Sequence, residues 1–394
     1  MDINEIIQVE NTHDSKQFNK KIPITRGEGA MLFDHEGNGY VDCVGGHGVS
    51  VLGYSHPRLV KALCNYLNEK KPITCGHFYD ENRAKLMERL ASSTPGSLNR
   101  FFFSNSGTEA VEAGLKFAMK YKKQVKDKEI IAMKRSFHGR TLGALSTTYN
   151  PRYRQDYSLL PGVKHASFNK IDSVEELVSD NTIAIIMELI QGESGVYPAS
   201  DEFPSQVRKL CDDKDIVLIF DEVQTGFGRT AKLFAMEHWN VTPDVLCLAK
   251  GIGGGVPMGA TITSDKIMDA LNPGAHGSTF GGNPFACKAA VESLSIIEEE
   301  KLLDNASTIS AYLFKELERL KESHGSIKEV RGKGLMIGIQ FKQKVKEILE
   351  KLQDKGILAL TAGFTVVRLL PPLVITKDQA KLVIETLDKV LEEA

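Results

Sequence analysis

The sequence predicts an α/β protein with a large domain on a mainly parallel sheet and a smaller α+β domain. Three observations carry this reading. Apolar runs of strand length alternate with amphipathic helical stretches through the middle of the chain, the pattern of strands covered by helices. The last third changes to charged amphipathic helices around short strands. A length of 394 residues, 42% hydrophobic and 25% charged, suffices for two cores.

Residues 1–50 contain MLFDHEGNGYVD, a strand-turn-strand pattern expected to pack with the smaller domain. The large domain is expected over 51–285. RFFFS (100–104) leads into the helical stretch GTEAVEAGLKFAMKYKK, and EIIAM (129–133), TIAIIMEL (182–189), DIVLIFDE (215–222) and DVLCLAK (244–250) supply further strands. The smaller domain, 286–394, carries helices near 291–323, 343–355 and 377–393 around strands in GLMIGIQF and VVRLLPP. No internal repeat or low-complexity linker interrupts the chain.

A net charge of -2 and a pI near 6.6 give no electrostatic case for nucleic acid or an anionic membrane. The N-terminal residues lack a basic flank followed by an apolar core, and no apolar run reaches the ~18 residues of a membrane span. A cytoplasmic protein is the expectation. The six cysteines, at 43, 64, 75, 211, 247 and 287, form no CxxC and read as free thiols. HExxH, a Walker-type loop and a complete GxGxxG are absent, so neither a metal nor a dinucleotide is expected.

Ligands of open α/β sheets bind beyond the carboxyl ends of the strands. Three groups fall at such ends. Asn105, Ser106, Gly107 and Thr108 follow RFFFS and open a helix, where small residues and free N–H groups suit a phosphate; an ordinary N-cap turn with Thr108 as cap is the alternative. Asp221 closes IVLIF, so its carboxylate needs a cationic partner to stay ionised, and a pyridinium N–H would be one; a plain loop carboxylate is the alternative. Lys250 ends DVLCLA ahead of GIGGG, where an amine beside a side-chain-free turn can form an imine; a solvated strand-end lysine is the alternative. A phosphate cup, an acid for a ring nitrogen and a lysine for an aldehyde are what pyridoxal 5'-phosphate requires.

FFFSNSGTEAVEAGLKFA, SFHGRTLGALS, IAIIMELIQGESGV, LIFDEVQTGFGRT, PDVLCLAKGIGGGVPMGA and HGSTFGGNPFA, in this order, resemble the consecutive blocks of the class III (ω-amino-acid) aminotransferases, whose fold is the fold-type-I pyridoxal-phosphate-dependent transferase. The resemblance implies that Lys250 holds the cofactor as a Schiff base and moves the proton during transfer. Asp221 would hold the ring nitrogen, Gln224 the phenolic oxygen, Phe137 the ring face, and Gly107 and Thr108 the phosphate. Thr279 would join the phosphate from the other subunit of a homodimer. Glu188 stands where the family shows Glu-Pro, but Leu189 replaces the proline.

An aminotransferase binds two substrates in turn, usually with glutamate as donor, and two carboxylates call for two cations that do not titrate. Arg140 and Arg368 match the substrate arginines of the ornithine and acetylornithine branch, with Arg368 on the α-carboxylate of glutamate and Arg140 on its distal one. Glu193 matches the removable counter-ion of that α-carboxylate arginine, and Ser278 is assigned with these to the substrate. GHGVSVLG, SFHGR and AGFTVVRLLPPLVIT resemble enzymes of lysine and arginine biosynthesis whose substrate is borne on a small acidic amino-group carrier protein. The resemblance thus implies transfer from glutamate, yielding 2-oxoglutarate, to a carrier-linked semialdehyde. Acetylornithine or ornithine aminotransferase is the alternative, and a glutamate-semialdehyde-type aminomutase a more distant one. KYKK (120–123), KRSFHGR (134–140) and NPRYRQ (150–155) are candidates for a basic rim that an acidic carrier would need.

Overall fold

The computed structural model describes residues 1–15, 17 and 22–393. Its centre is a seven-stranded sheet in the order β4-β12-β11-β10-β7-β5-β6. These strands are β4 (Arg100–Ser104), β5 (Glu129–Met133), β6 (Val163–Ala166), β7 (Thr182–Met187), β10 (Val217–Asp221), β11 (Val245–Leu248) and β12 (Gly259–Thr263). β11, β10, β7, β5 and β6 run parallel, whereas β12 opposes both β11 and β4. The predicted strands all form. Two more, β6 and β12, complete the sheet: VKHA is too short and polar to stand out, and GATIT owes its complete burial to its neighbours rather than to large apolar side chains. β7 and β10 are buried along their whole length, each large side chain contributing about 1.5–3 kcal/mol.

The strand-turn-strand near the N-terminus is present as β2 (Met31–Asp34) and β3 (Gly39–Asp42), preceded by β1 (Ile24–Glu28). β3 pairs in parallel with β15 (Ile357–Leu358), so residues from both ends of the chain share one sheet. A second small sheet has the order β13-β14-β17-β16, with β13 (Ile327–Lys333), β14 (Met336–Phe341), β16 (Leu360–Thr361) and β17 (Val366–Leu369). β8 (Ile190–Gln191) and β9 (Tyr197–Pro198) form an antiparallel ribbon, with β9 packed on β13.

The expected division at 285/286 rests on the change to charged amphipathic helices around short strands. That point falls inside the helix Pro284–Glu299, which packs on the helices Pro57–Asn68 and Glu81–Ser93 of the large unit. The following helix, Leu302–Ser323, packs on β13 instead. Among the described residues no helix is long and apolar enough to cross a membrane.

Candidate active site

The carboxyl ends of the parallel strands carry two of the predicted residues, Asp221 and Lys250. β10 ends on Asp221, and Lys250 follows β11 in the adjacent register, Asp221 opposite Cys247. Lys250 takes a left-handed backbone, φ 47°, an uncommon conformation outside glycine that marks constrained sites. Burial, with Arg368 adding to it, lowers its amine to about 8. Among the described residues no carboxylate reaches ion-pair distance of its Nζ. A half-buried amine of lowered basicity suits imine chemistry.

Asp221 is buried, and its Oδ2 lies 2.7 Å from His138 Nδ1. Its Oδ1 accepts from the Val223 N–H at 3.0 Å. His138 thus supplies the polar partner that a carboxylate closing an apolar strand requires. Its other nitrogen, Nε2, is buried with no partner among the described residues. His138 stands inside SFHGR, with no apolar run beside it to mark a role. Its partner is 83 residues away, and no local spacing connects them.

Glu188, with Leu189 after it, is buried and holds two loops together. One oxygen accepts from the Phe137 N–H at 2.7 Å and the other from the Gly192 N–H at 3.1 Å. Burial raises this carboxyl to about 7, opposed by His138. Phe137 and the turn that carries Glu193 are therefore tied to one point of the sheet edge.

The helix Gly107–Tyr121 starts directly after β4, and its cap is Ser106, not Thr108: the Ser106 hydroxyl accepts from the Glu109 N–H at 3.3 Å. Thr108 is left to pair its hydroxyl with that of Thr141 at 2.8 Å, and Thr141 in turn donates to Glu112 at 2.6 Å. A Cβ on Gly107 would lie 2.5 Å from Val223 Cγ1, so only glycine lets the first helical turn approach the loop after Asp221. Ser278 joins the same cluster, accepting from Asn105 Nδ2 at 3.1 Å. Thr279 is exposed in the single chain.

The two arginines occupy opposite settings. Arg368 on β17 has a side chain only 1% exposed, and its Nη1 lies 3.3 Å from Glu193 Oε2, whose side chain is 40% exposed. Arg140 is exposed, with its guanidinium 3.5 Å from the Tyr153 ring centroid and 5.8 Å from that of Phe137. Stacking of this kind orients an arginine without neutralising it. Tyr153, unremarked in the sequence, is the platform.

The basic runs separate. Arg135 lies 5.0 Å from the ring centroid of Tyr197, and Arg152 lies 5.4 Å from that of Phe364. The Ser194 hydroxyl donates to the Arg135 carbonyl, which sets these groups around the turn bearing Glu193. KYKK lies elsewhere. It ends the helix begun at Gly107, about 20 Å from the cup at 1.5 Å per residue, and Lys122 is buried in an ion pair with Asp215 at 2.5 Å. It is no part of a rim.

Pyridoxal phosphate fits this set. Gln224 Oε1 is buried without a partner among the described residues, and amide oxygen and nitrogen can exchange places. Beside it stand an unpaired amine, a buried carboxylate and a helix start that tolerates no side chain at its first residue.

Residues 12–391 match the aminotransferase class-III family. The chain belongs to the class III aminotransferases. It is 43% identical to the acetylornithine aminotransferase of Methanocaldococcus jannaschii over 94% of both chains. It is 45% identical to a Pyrococcus furiosus protein named as a LysW-aminoadipate semialdehyde/glutamate semialdehyde transaminase, over 93% of this chain and 96% of the relative. Among solved structures, the ornithine aminotransferase of Toxoplasma gondii ME49 superposes with a TM-score of 0.94 at 31% identity, covering 99% of this chain and 95% of that one. The acetylornithine aminotransferase of Elizabethkingia anophelis gives 0.87 at 32% identity, with 99% of each covered. The protein is thus a transaminase of fold type I that uses pyridoxal phosphate, as the resemblance implied.

Proposed function

We propose that this class III aminotransferase moves an amino group between glutamate/2-oxoglutarate and the terminal amine or aldehyde of a carrier-linked lysine or ornithine. The ion pair of buried Arg368 with partly exposed Glu193 carries the reading. An arginine so enclosed must keep a countercharge, and a carboxylate in contact with water can leave when a substrate carboxylate arrives. Glutamate presents its α-carboxylate to Arg368 and its distal one to Arg140. A terminal-amine substrate brings no carboxylate to Arg368, and Glu193 stays.

Pyridoxal phosphate supplies an aldehyde for the amino group and a ring that takes up the electrons released at the reacting carbon. Lys250 would hold the aldehyde, then use its amine to move the proton at that carbon. Asp221, oriented by His138, would hold the ring nitrogen, Gln224 the phenolic oxygen, and Gly107 and Thr108 the phosphate. Phe137, its backbone fixed by Glu188, would cover one ring face.

Support for an acidic carrier comes from Arg135 and Arg152 beside the Glu193 turn, exposed cations braced on aromatic rings. A second reading, acetylornithine aminotransferase, is favoured by the similarity to enzymes of that name. Turnover of carrier-linked lysine, carrier-linked ornithine, N-acetylornithine and free ornithine, each with 2-oxoglutarate, separates the two. The carrier-linked substrates are expected to lead. A lead of more than about tenfold for N-acetylornithine, roughly 1.4 kcal/mol of transition-state binding, overturns the assignment.

We also infer a homodimer. Ile73, Phe78, Tyr79 and Phe280 are large apolar residues left exposed on the single chain, and Gly76 lies against the Thr279 carbonyl, which joins the two segments. A clustered apolar surface of this kind calls for a partner, and a second copy would place Thr279 at its neighbour's phosphate cup.

A further inference from the structure

One feature of the pocket is unused by this scheme. Gly45, Gly46, His47 and Gly48 have φ of 54°, 57°, 60° and 87°, one turn of left-handed helix in which His47 alone carries a side chain. Such a conformation is unfavourable for a non-glycine residue, and strain retained next to a site points to use. The turn is locked in place. A Cβ on Gly45 would lie 2.6 Å from the Leu370 carbonyl oxygen, and one on Gly48 would lie 3.7 Å from Gln224 Cγ and 3.6 Å from Leu370 Cδ1. Leu370 follows β17, and its N–H donates to the Cys43 carbonyl at 2.8 Å. His47 is consequently held between the cofactor residue Gln224 and the strand that bears Arg368. The charged groups facing its ring are Arg368, Glu193 and Lys250. The residue as a whole stays open to water, its ring is partly buried, and among the described residues the ring makes no hydrogen bond.

We propose that His47 is the second station of the Glu193 carboxylate: when a substrate α-carboxylate takes Arg368, Glu193 moves to the His47 imidazole, which takes up a proton from water. This rests on the reading of Glu193 as a removable counter-ion. At rest, partial burial and then the Arg368 charge hold the imidazole below its ordinary value, which favours its neutral form. A carboxylate on Arg368 cancels the repelling cation, and the displaced Glu193 adds an attracting anion. Both changes favour protonation. Glutamate binding is thereby linked to proton uptake, and by reciprocity acid favours glutamate.

The test is the half-reaction of the holoenzyme with glutamate and with a terminal-amine donor, followed between about pH 5.5 and 7.5, the range in which an imidazole titrates. In the wild type, KM for glutamate is expected to rise about fivefold or more across this range, against a flat profile in His47→Gln, with kcat little changed; the size follows from linkage to one proton. His47→Lys keeps a cation and should keep the low KM throughout. The terminal-amine donor should show neither effect. A His47→Gln profile that parallels the wild type, or equal losses for both donors, overturns the proposal. Glu193→Gln separates the two levels. If it alters the ratio of the donors while His47→Gln does not, the counter-ion reading stands and the second station falls. If Glu193→Gln leaves the ratio unchanged, the counter-ion reading falls and takes the second station with it.

Discussion

Replacing Glu193 by Gln removes the countercharge of Arg368 and keeps a side chain that can still accept from its Nη1. The pair stands at 3.3 Å, with the arginine side chain 1% exposed and the glutamate 40% exposed. Breaking a fully buried pair costs about 3–5 kcal/mol. Water reaching the Glu193 side screens the interaction, which brings the expected loss to about 1–2 kcal/mol, or roughly 5–30-fold. That loss falls on one substrate only. On the proposed reading a terminal-amine donor reacts with Arg368 still covered, so in the variant it would react beside an uncompensated buried cation. Glutamate supplies its own carboxylate and has no charged competitor to displace, so its kcat/KM should hold or rise by about threefold, well under the first effect. Single-turnover absorbance changes of the bound cofactor with each donor measure both. Equal losses for the two donors, or a fall in glutamate turnover with the amine donor untouched, would refute the assignment of Glu193 as a removable counter-ion.

Lys250, Glu188 and Phe280 each carry a further expected outcome. Burial and Arg368 lower the Lys250 amine to about 8 in the cofactor-free chain; with cofactor bound, Lys250 would accept the proton only as the free base, so the half-reaction rate should fall in acid, and Lys250→Ala should abolish it. The cofactor-free protein should gain stability as pH rises from about 8 towards the ordinary lysine range near 10.4, because over that window the unfolded chain binds the proton and the folded one does not; a denaturant midpoint that falls over this range contradicts the burial argument. Glu188→Gln turns one acceptor towards the Gly192 N–H into a donor, leaving a buried group unsatisfied, and should lower stability by about 1–3 kcal/mol in denaturant titration. Its folded carboxyl is raised to about 7, so the wild-type contribution of this group is greatest in acid and declines towards pH 7, and the variant should lack that slope. Phe280→Asp should yield monomers by sedimentation and weaken cofactor retention, whereas a wild type that sediments as a monomer would dismiss the dimer.

What could be read in the sequence followed from side-chain size and local order. The strands RFFFS, EIIAM and VLIFD announced themselves because large apolar residues in strand-length runs have few other uses. β12 did not, since Gly259, Ala260 and Thr261 are buried by the strands on either side rather than by their own bulk. The strand-turn-strand of β2 and β3 was visible, but its third neighbour β15 lies more than 300 residues downstream of it, and register across that distance leaves no local trace. Charge runs were the least informative. KYKK and KRSFHGR look alike as text, yet Lys122 is buried against Asp215 while Arg135 is exposed beside the Glu193 turn.

The same distinction explains which site residues were missed. Asp221, Lys250 and Gly107 each sit at the end of an apolar run, so chain position alone aims them at the sheet edge. His138 and His47 sit in loops, and their meaning arises only when the loops are docked. His138 gains its role from Asp221, and His47 from Gln224, Leu370 and Arg368, which approach it from two different sheets. Strand ends can thus be read from one dimension, but the groups that tune them come from the packing of one unit on the other. In this enzyme the cofactor residues belong to the first kind. The charge-handling residues around Arg368 belong to the second, and the substrate choice proposed above turns on them.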